Sequence, residues 1–231
     1  MPAVAFVSPK GGAGKTTAAL LLALGLAEQG LRVAMIDSDP NKPLIHWASL
    51  PGKPELISVH PAPTVSDVAD ALREARPRNP DWYILDTEGS VRGAVAFTAM
   101  PLDLVITPLA GSALEAVQAI KASELLDQFG GRSGRVLPHR CLLTRVPAAI
   151  RPRSLKMVVD QLHEKNIQML PTALIEKDAF RSLFAIGGGF EALEREGVTG
   201  VVTARQNAIM YVQTVTGLVA QLRAARARAA G

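Results

Sequence analysis

Short, almost wholly apolar blocks alternate along the chain with longer segments of mixed character. Val4-Ala5-Phe6-Val7, Val33-Ala34-Met35-Ile36, Leu56-Ile57-Ser58-Val59, Trp82-Tyr83-Ile84-Leu85, Leu104-Val105-Ile106-Thr107 and Cys141-Leu142-Leu143-Thr144 are too short for helices and lack in/out alternation. Such runs read as strands buried on both faces, as in parallel sheets. Between them, helices are predicted over 16–29 with Gly30 as C-cap, over 43–50, over 64–76 behind a Thr64/Asp67 capping box, over 112–129 behind a Ser112/Glu115 box, and over 155–165. A last helix from about Ala204 carries Ile209, Val212, Val215, Val219 and Leu222 on one face.

The expected fold is therefore α/β: a mostly parallel twisted sheet with helices on both faces, in one domain spanning 1–231. Pro77 and Pro80 enforce a loop, Pro108 closes the fifth strand, and residues 130–134 read as a flexible loop. Gln168-Met169-Leu170 reads as a short strand, and Gly187-Gly188-Gly189 as a mobile loop without phosphate contact. Trp47 is assigned to packing.

One turn carries the chemistry. Pro9-Lys10-Gly11-Gly12-Ala13-Gly14-Lys15-Thr16-Thr17 lies between the first strand and the first helix, where a phosphate-binding loop belongs. Glycines at 11, 12 and 14 allow positive φ and bring backbone N–H groups onto phosphate oxygens. Lys15 reaches the β and γ phosphates, and the Thr16 hydroxyl is placed to ligand Mg²⁺. The nucleotide-binding set is Lys10, Gly11, Gly12, Ala13, Gly14, Lys15, Thr16 and Thr17. Pro9 stands where the general G-x-x-x-x-G-K-[ST] pattern requires glycine.

Three acids end apolar strands. Asp86 closes its strand as a Walker B aspartate does, holding Mg²⁺ directly or through water. Asp37 and Asp39, separated by one residue at the exit of the second strand, take different roles.

Composition narrows the possibilities. Hydrophobic residues are 48% and charged residues 20%, which argues against disorder. The single cysteine, Cys141, in an apolar context, excludes an intrachain disulfide or a Cys-rich cluster. No signal-peptide pattern or membrane-span-length run is seen, so a cytoplasmic protein is expected, with the nucleoid as a site of association. A net charge of +4 raises the question of anionic partners.

The form K-G-G-A-G-K-T-T, with Asp37-Ser38-Asp39-Pro40, the strand to Asp86 and the strand ending at Thr107-Pro108, resembles the ParA/MinD family of deviant Walker A ATPases. Asn41-Lys42-Pro43-Leu44 with Trp47, and Glu176-Lys177-Asp178-Ala179-Phe180, resemble short ParA-like ATPases that assist DNA transfer, of the VirC type. The resemblance implies ATP and Mg²⁺ as ligands, Asp39 orienting the attacking water, Asp37 supporting the metal shell beside Thr16 and Asp86, and Lys10 reaching across a homodimer to the partner's nucleotide. Catalysis then rests on Lys10, Lys15 and Asp39. Two features depart from the family: Thr87-Glu88-Gly89-Ser90 replaces a Pro-Pro-Ser turn, and Thr144-Arg145 stands where an adenine-contacting Asn is expected.

Two outputs follow. A partition-type ATPase binds DNA non-specifically in its ATP-bound dimer, with Arg145, Arg151, Arg153 and Lys156, and Arg223, Arg226 and Arg228 in the tail, as candidate phosphate contacts. A cargo or ParB-like activating partner accompanies that reading. The alternative is MinD-like membrane attachment, which the tail disfavours because 223–230 holds arginine and alanine without bulky apolar residues.

Overall fold

The computed structural model describes residues 1–8, 11–87, 101–133, 137–147 and 153–230. In chain order the elements are β1 (Ala3–Phe6), α1 (Lys15–Glu28), β2 (Val33–Asp37), α2 (Pro43–Ser49), β3 (Ile57–Pro61), α3 (Val65–Ala75), β4 (Trp82–Asp86), β5 (Leu104–Leu109), α4 (Ala113–Ser133), β6 (His139–Leu143), α5 (Arg153–Glu164), α6 (Asp178–Ile186), α7 (Phe190–Arg195) and α8 (Val201–Ala230).

The strands form one parallel sheet in the order β3-β2-β4-β1-β5-β6. Each central strand is apolar at both parities because both faces are covered. Val4, Phe6, Val33, Met35, Trp82, Ile84, Leu104 and Ile106 pack with α1, α2, α6, α7 and α8. Ala3, Ala5, Ala34, Ile36, Tyr83, Leu85 and Val105 pack with α3 and the middle of α4 on the other face. A third cluster joins Leu109 and Cys141 to α4 and α5. The sheet is the expected one, with helices on both faces. Cys141 is buried and its thiol is pushed up to about 12 by desolvation, so it is an inert core residue.

Several local expectations hold in detail. Thr64 and Asp67 cap α3 reciprocally, and Ser112 and Glu115 do the same for α4. Leu31 and Gly30 (φ 81) return their N–H groups to Leu26 and Ala27 at the end of α1, a Schellman closure that requires positive φ. Others are corrected. Pro108 lies inside β5, not at its end: by alternation its nitrogen faces the β1 side, past the last residue of β1, so no ladder bond is lost. Residues 130–133 continue α4, each added turn closing backbone bonds that outweigh the glycine cost of about 1 kcal/mol per residue. Gln168-Met169-Leu170 makes only an isolated bridge between Met169 and Cys141.

The triple glycine is a packed joint between α6 and α7, not a mobile loop. A Cβ on Gly187 would lie 2.5 Å from the Leu50 Cβ and 2.8 Å from the Pro51 carbonyl, and the Gly188 carbonyl accepts the Trp47 indole N–H at 3.1 Å. Trp47 is accordingly fully buried.

α8 begins at Val201 and presents Ala204, Ala208, Tyr211, Val212, Val215 and Val219 to the core, while Ile209 turns outward at 41% exposure. It packs on α1, where a Cβ on Gly25 would stand 2.5 Å from Val212 Cγ2. Gly25→Leu therefore overpacks this contact. It should cost about 1–3 kcal/mol and lower the melting temperature by about 2–4 °C per kcal/mol, read by calorimetry. At the other end of α8, Arg223 and Arg226 donate to Asp103, which is nearly buried and also accepts the Ala3 N–H. These two arginines are thus spent on holding α8 at the amino end of β1. They are removed from the candidate DNA contacts.

Candidate functional site

The strand order puts β4 between β1 and β2, so three strand ends meet beneath the start of α1. Phe6 pairs with Asp86 and Asp86 pairs with Asp37, so both acids project to the α1 side of the sheet. The crevice lies at the carboxyl ends of the strands, where open α/β sheets bind ligands.

The loop above it is shaped by backbone. Gly12 (φ 79) and Gly14 (φ 89) are left-handed, and Gly14 is the N-cap of α1 with no side-chain capping bond. The first-turn N–H groups thus keep their capacity for an anion, in the field of the helix N-terminus. Lys15 is the first residue of α1 and is only 7% exposed. Thr144 Oγ1 donates to the Ala13 carbonyl at 2.8 Å, tying the loop to the end of β6. Pro9 and Lys10 lie outside the described residues, as do Glu88 and Arg151.

Under this loop the carboxylates differ sharply. Asp37 is fully buried but committed: Oδ2 accepts the Leu44 and Ile45 N–H groups at 2.9 and 3.1 Å, and Oδ1 accepts that of Asp39 at 3.2 Å. It caps α2, whose own N-cap, Lys42, makes no side-chain bond. Burial raises its pKa, these three N–H groups oppose the rise, and the Asp39 charge adds to it. Asp39 sits on the cleft wall, with Oδ1 held by the Asn41 backbone and side-chain N–H groups at 2.9 and 3.0 Å. From sequence Asn41 enters only as part of the resemblance, with no role at the site, although the Asp39-Pro40-Asn41 turn is the signal for one.

Asp86 is fully buried, and neither carboxylate oxygen has a hydrogen-bond partner of normal geometry. Desolvation pushes its pKa up to about 7, against the downward pull of the Thr16 hydroxyl and the Lys15 charge. The Ser38 hydroxyl is also buried and unpartnered. Among the described residues, the orphaned buried side-chain polar atoms are thus these three, all at the carboxyl ends of β2 and β4. Native interiors seldom leave such atoms unpaired unless a ligand, ion or water completes them. Thr87 closes the floor by donating to the Phe6 carbonyl at 2.7 Å.

The opening has two connected halves. One, about 800 Å³ including its solvent-open part, is lined by Gly11, Gly12, Lys15, Thr16, Asp39 and Asn41. The other, about 440 Å³ on the same measure, runs from Gly14 and Thr17 past Thr144 to 174–177, Phe180 and Arg181. Arg145 borders both; its backbone is left-handed (φ 53), and it lies between Thr144, which donates its N–H to Leu109 O, and Val146, which donates its own to Leu174 O. The geometry is that of a phosphate cradle with an adjoining compartment for a nucleoside.

The profile described as the CobQ/CobB/MinD/ParA nucleotide binding domain matches residues 4–185. The chain belongs to this family. Protein ParA of Rhizobium radiobacter is 29% identical over 216 residues, covering 93% of this chain and 96% of the relative. Protein virC1 of Rhizobium rhizogenes is 27% identical over 187 residues, covering 79% and 80%. Among solved structures, MinD of Pyrococcus horikoshii, complexed with Mg-ADP, superposes with a TM-score of 0.69 at 15% identity, covering 96% of this chain and 98% of that one.

In this ParA/MinD-family chain the site residues separate into two groups. Gly11, Gly12, Gly14, Lys15, Thr16, Thr17 and Asp39 line the cleft, while Ala13, Asp37 and Asp86 are buried behind that lining. The DNA candidates scatter: Arg145 borders the cleft, Lys156 is exposed on α5, Arg223 and Arg226 are bound to Asp103, and the Arg153 side chain is not among those described. Among the described residues, no helix is long and apolar enough to cross a membrane.

Proposed function

We propose that the chain is a slow ATP hydrolase that works as a dimerisation switch. The unpartnered Asp86 carboxylate, buried beneath an uncapped phosphate-binding helix, carries this reading. The Asp86 carboxylate and Thr16 hydroxyl fit Mg²⁺, a hard cation that takes oxygen ligands. Asp37 supports that shell by holding the loop from Asp39 to Ile45 in place. When bound, the ion neutralises charge on the β and γ phosphates. Lys15 and the backbone of 11–16 hold the phosphates, and Asp39, oriented by Asn41, positions the attacking water. Arg145, from its place on the cleft, serves the nucleotide rather than DNA.

Lys10 reaches the nucleotide of a second copy, so ATP favours the dimer and hydrolysis reopens it. Exposed apolar side chains on the first turns of α4 and α5, Leu114 at 60% and Met157 at 71%, support an interface at this end of the sheet. The ATP dimer binds DNA non-specifically through Lys156 with Arg151 and Arg153, and serves DNA partition, DNA transfer or cargo positioning, with a ParB-like partner or cargo stimulating turnover. The Mg-ADP complex of Pyrococcus horikoshii MinD supports the ligand assignment.

Sedimentation and gel shift test the switch together. With Mg-ATP the chain should dimerise and retard random duplex, and that binding should weaken steeply as salt rises. Lys10→Ala should keep nucleotide binding by the monomer while losing both the dimer and the retardation. An ATP-dependent dimer in Lys10→Ala overturns the cross-dimer role; binding to acidic vesicles in place of duplex overturns the DNA output in favour of membrane attachment.

A further inference from the structure

The far wall of the nucleoside compartment is an extended segment, 172–177, that belongs to no strand of the sheet. On one side it is tied to the exit of β6. Leu174 donates to Leu143 O at 2.8 Å, Glu176 donates to Val146 O at 2.9 Å, and the Leu174 carbonyl accepts the Val146 N–H at 3.2 Å. The opposite side faces α8 and is satisfied by side chains. Asn207 is only 8% exposed and makes two bonds to main chain: Oδ1 accepts the Ile175 N–H and Nδ2 donates to the Ala173 carbonyl, each at 2.9 Å. The fixed roles of those two backbone groups determine which way the amide points.

Two further contacts extend the pattern. Thr172 and Thr214 share a hydroxyl–hydroxyl bond at 2.7 Å, and Lys177 Nζ donates to Thr203 Oγ1 at 3.1 Å. Residues 203, 207 and 214 fall within about 40° of one another around the helix. From Thr203 to Thr214 the helix rises about 16 Å, and extended chain from Thr172 to Lys177 spans about 16 Å. The two run antiparallel in matched lengths, so each polar group on this face of α8 meets its partner.

From this we infer that α8 is a splint for the nucleoside half of the cleft, and that Asn207 is a positioning residue for nucleotide binding. Asn207 does not itself line the cleft. It holds the backbone of 173–175, which carries the wall residues Leu174, Ile175, Glu176 and Lys177, against the exit of β6. The phosphate half depends on the loop of 11–16 and α1, to which none of these four side-chain bonds runs. Loss of the amide therefore loosens one half of the site and leaves the other. The inference rests on the nucleotide-binding reading of the cleft.

The test compares ATP with inorganic tripolyphosphate, which fills only the phosphate half, by calorimetric titration of the whole chain in Mg²⁺. For Asn207→Leu, ATP affinity should fall about tenfold, as expected when buried backbone partners are left unpaired, while tripolyphosphate affinity stays within about twofold. Thr203→Val, at an exposed position that leaves the core intact, should give a smaller loss in the same direction. A parallel fall in both ligands for Asn207→Leu, or no fall for ATP, overturns the inference. If the unsubstituted chain binds neither ligand, the nucleotide reading itself fails and the inference with it. If it binds both and the two variants match it, only the splint is rejected.

Discussion

Asp39→Ala should yield a protein that binds Mg-ATP and does not turn it over. Asp39 makes no bond to the loop of 11–16; its Oδ1 is occupied by Asn41, which leaves Oδ2 on the cleft wall without a partner among the described residues. Truncation therefore spares the phosphate cradle and removes the carboxylate to which the proposed mechanism assigns the water. Positioned acid–base groups contribute about 10²–10⁴-fold to rate, and a loss of that size in phosphate release at saturating ATP is the expected result. In the proposed switch hydrolysis reopens the dimer, so the variant should also accumulate as the ATP-bound dimer in sedimentation. Asn41→Ala, which frees the carboxylate to rotate without deleting it, should lose a smaller part of the rate at unchanged ATP affinity. Full turnover by Asp39→Ala assigns the water to another group.

The second large effect belongs to Asp86. Its carboxyl is raised from 3.8 to about 7 because burial penalises the charged form. Between those values the folded chain keeps a proton that the unfolded chain has released, so this group's contribution to stability declines as pH rises from about 4 to about 7, then stays level. Without Mg²⁺ and nucleotide, the chain should lose stability over that range by on the order of a few kcal/mol more than Asp86→Asn, whose amide does not titrate. Mg-ATP should abolish this difference, because a cation beside the carboxylate favours its charged form. Asp86→Asn should in turn lose about tenfold or more of the Mg²⁺-dependent part of ATP affinity, as a change in Kd read by titration. Thermal melts across pH, with and without Mg-ATP, read the first effect. Parallel melting curves for the two proteins would show that Asp86 does not carry an uncompensated charge.

Local chemistry explains why so much of the phosphate half could be anticipated. The glycines at 12 and 14, the lysine that starts α1 and the threonine after it act through their own backbone and their nearest neighbours, and a strand–turn–helix order is enough to define them. The capping boxes at Thr64 and Ser112 are local in the same sense. Where expectation and structure part, long-range packing decides. Gly187-Gly188-Gly189 reads as slack chain until the Trp47 indole and the backbone of Pro51 close on it. Ile209 keeps helical spacing with its apolar neighbours yet faces outward, because the face of α8 that meets α1 is set by Tyr211, Val212 and Gly25.

The arginines show the same division. Their charge is plain in the sequence, but not its use: Arg223 and Arg226 are turned to Asp103, while Arg145 is set on the cleft by the exit of β6. By itself the chain specifies a two-sided parallel sheet and a phosphate loop, since buried-strand patterning and glycine-dependent turns are encoded within a few residues of where they act. Only the tertiary structure inserts β4 between β1 and β2, which brings Asp37 and Asp86 side by side and leaves one carboxylate capped and the other bare. It alone brings Asn207 to the backbone of 173–175, because strand order and helix docking depend on contacts between residues far apart in the chain.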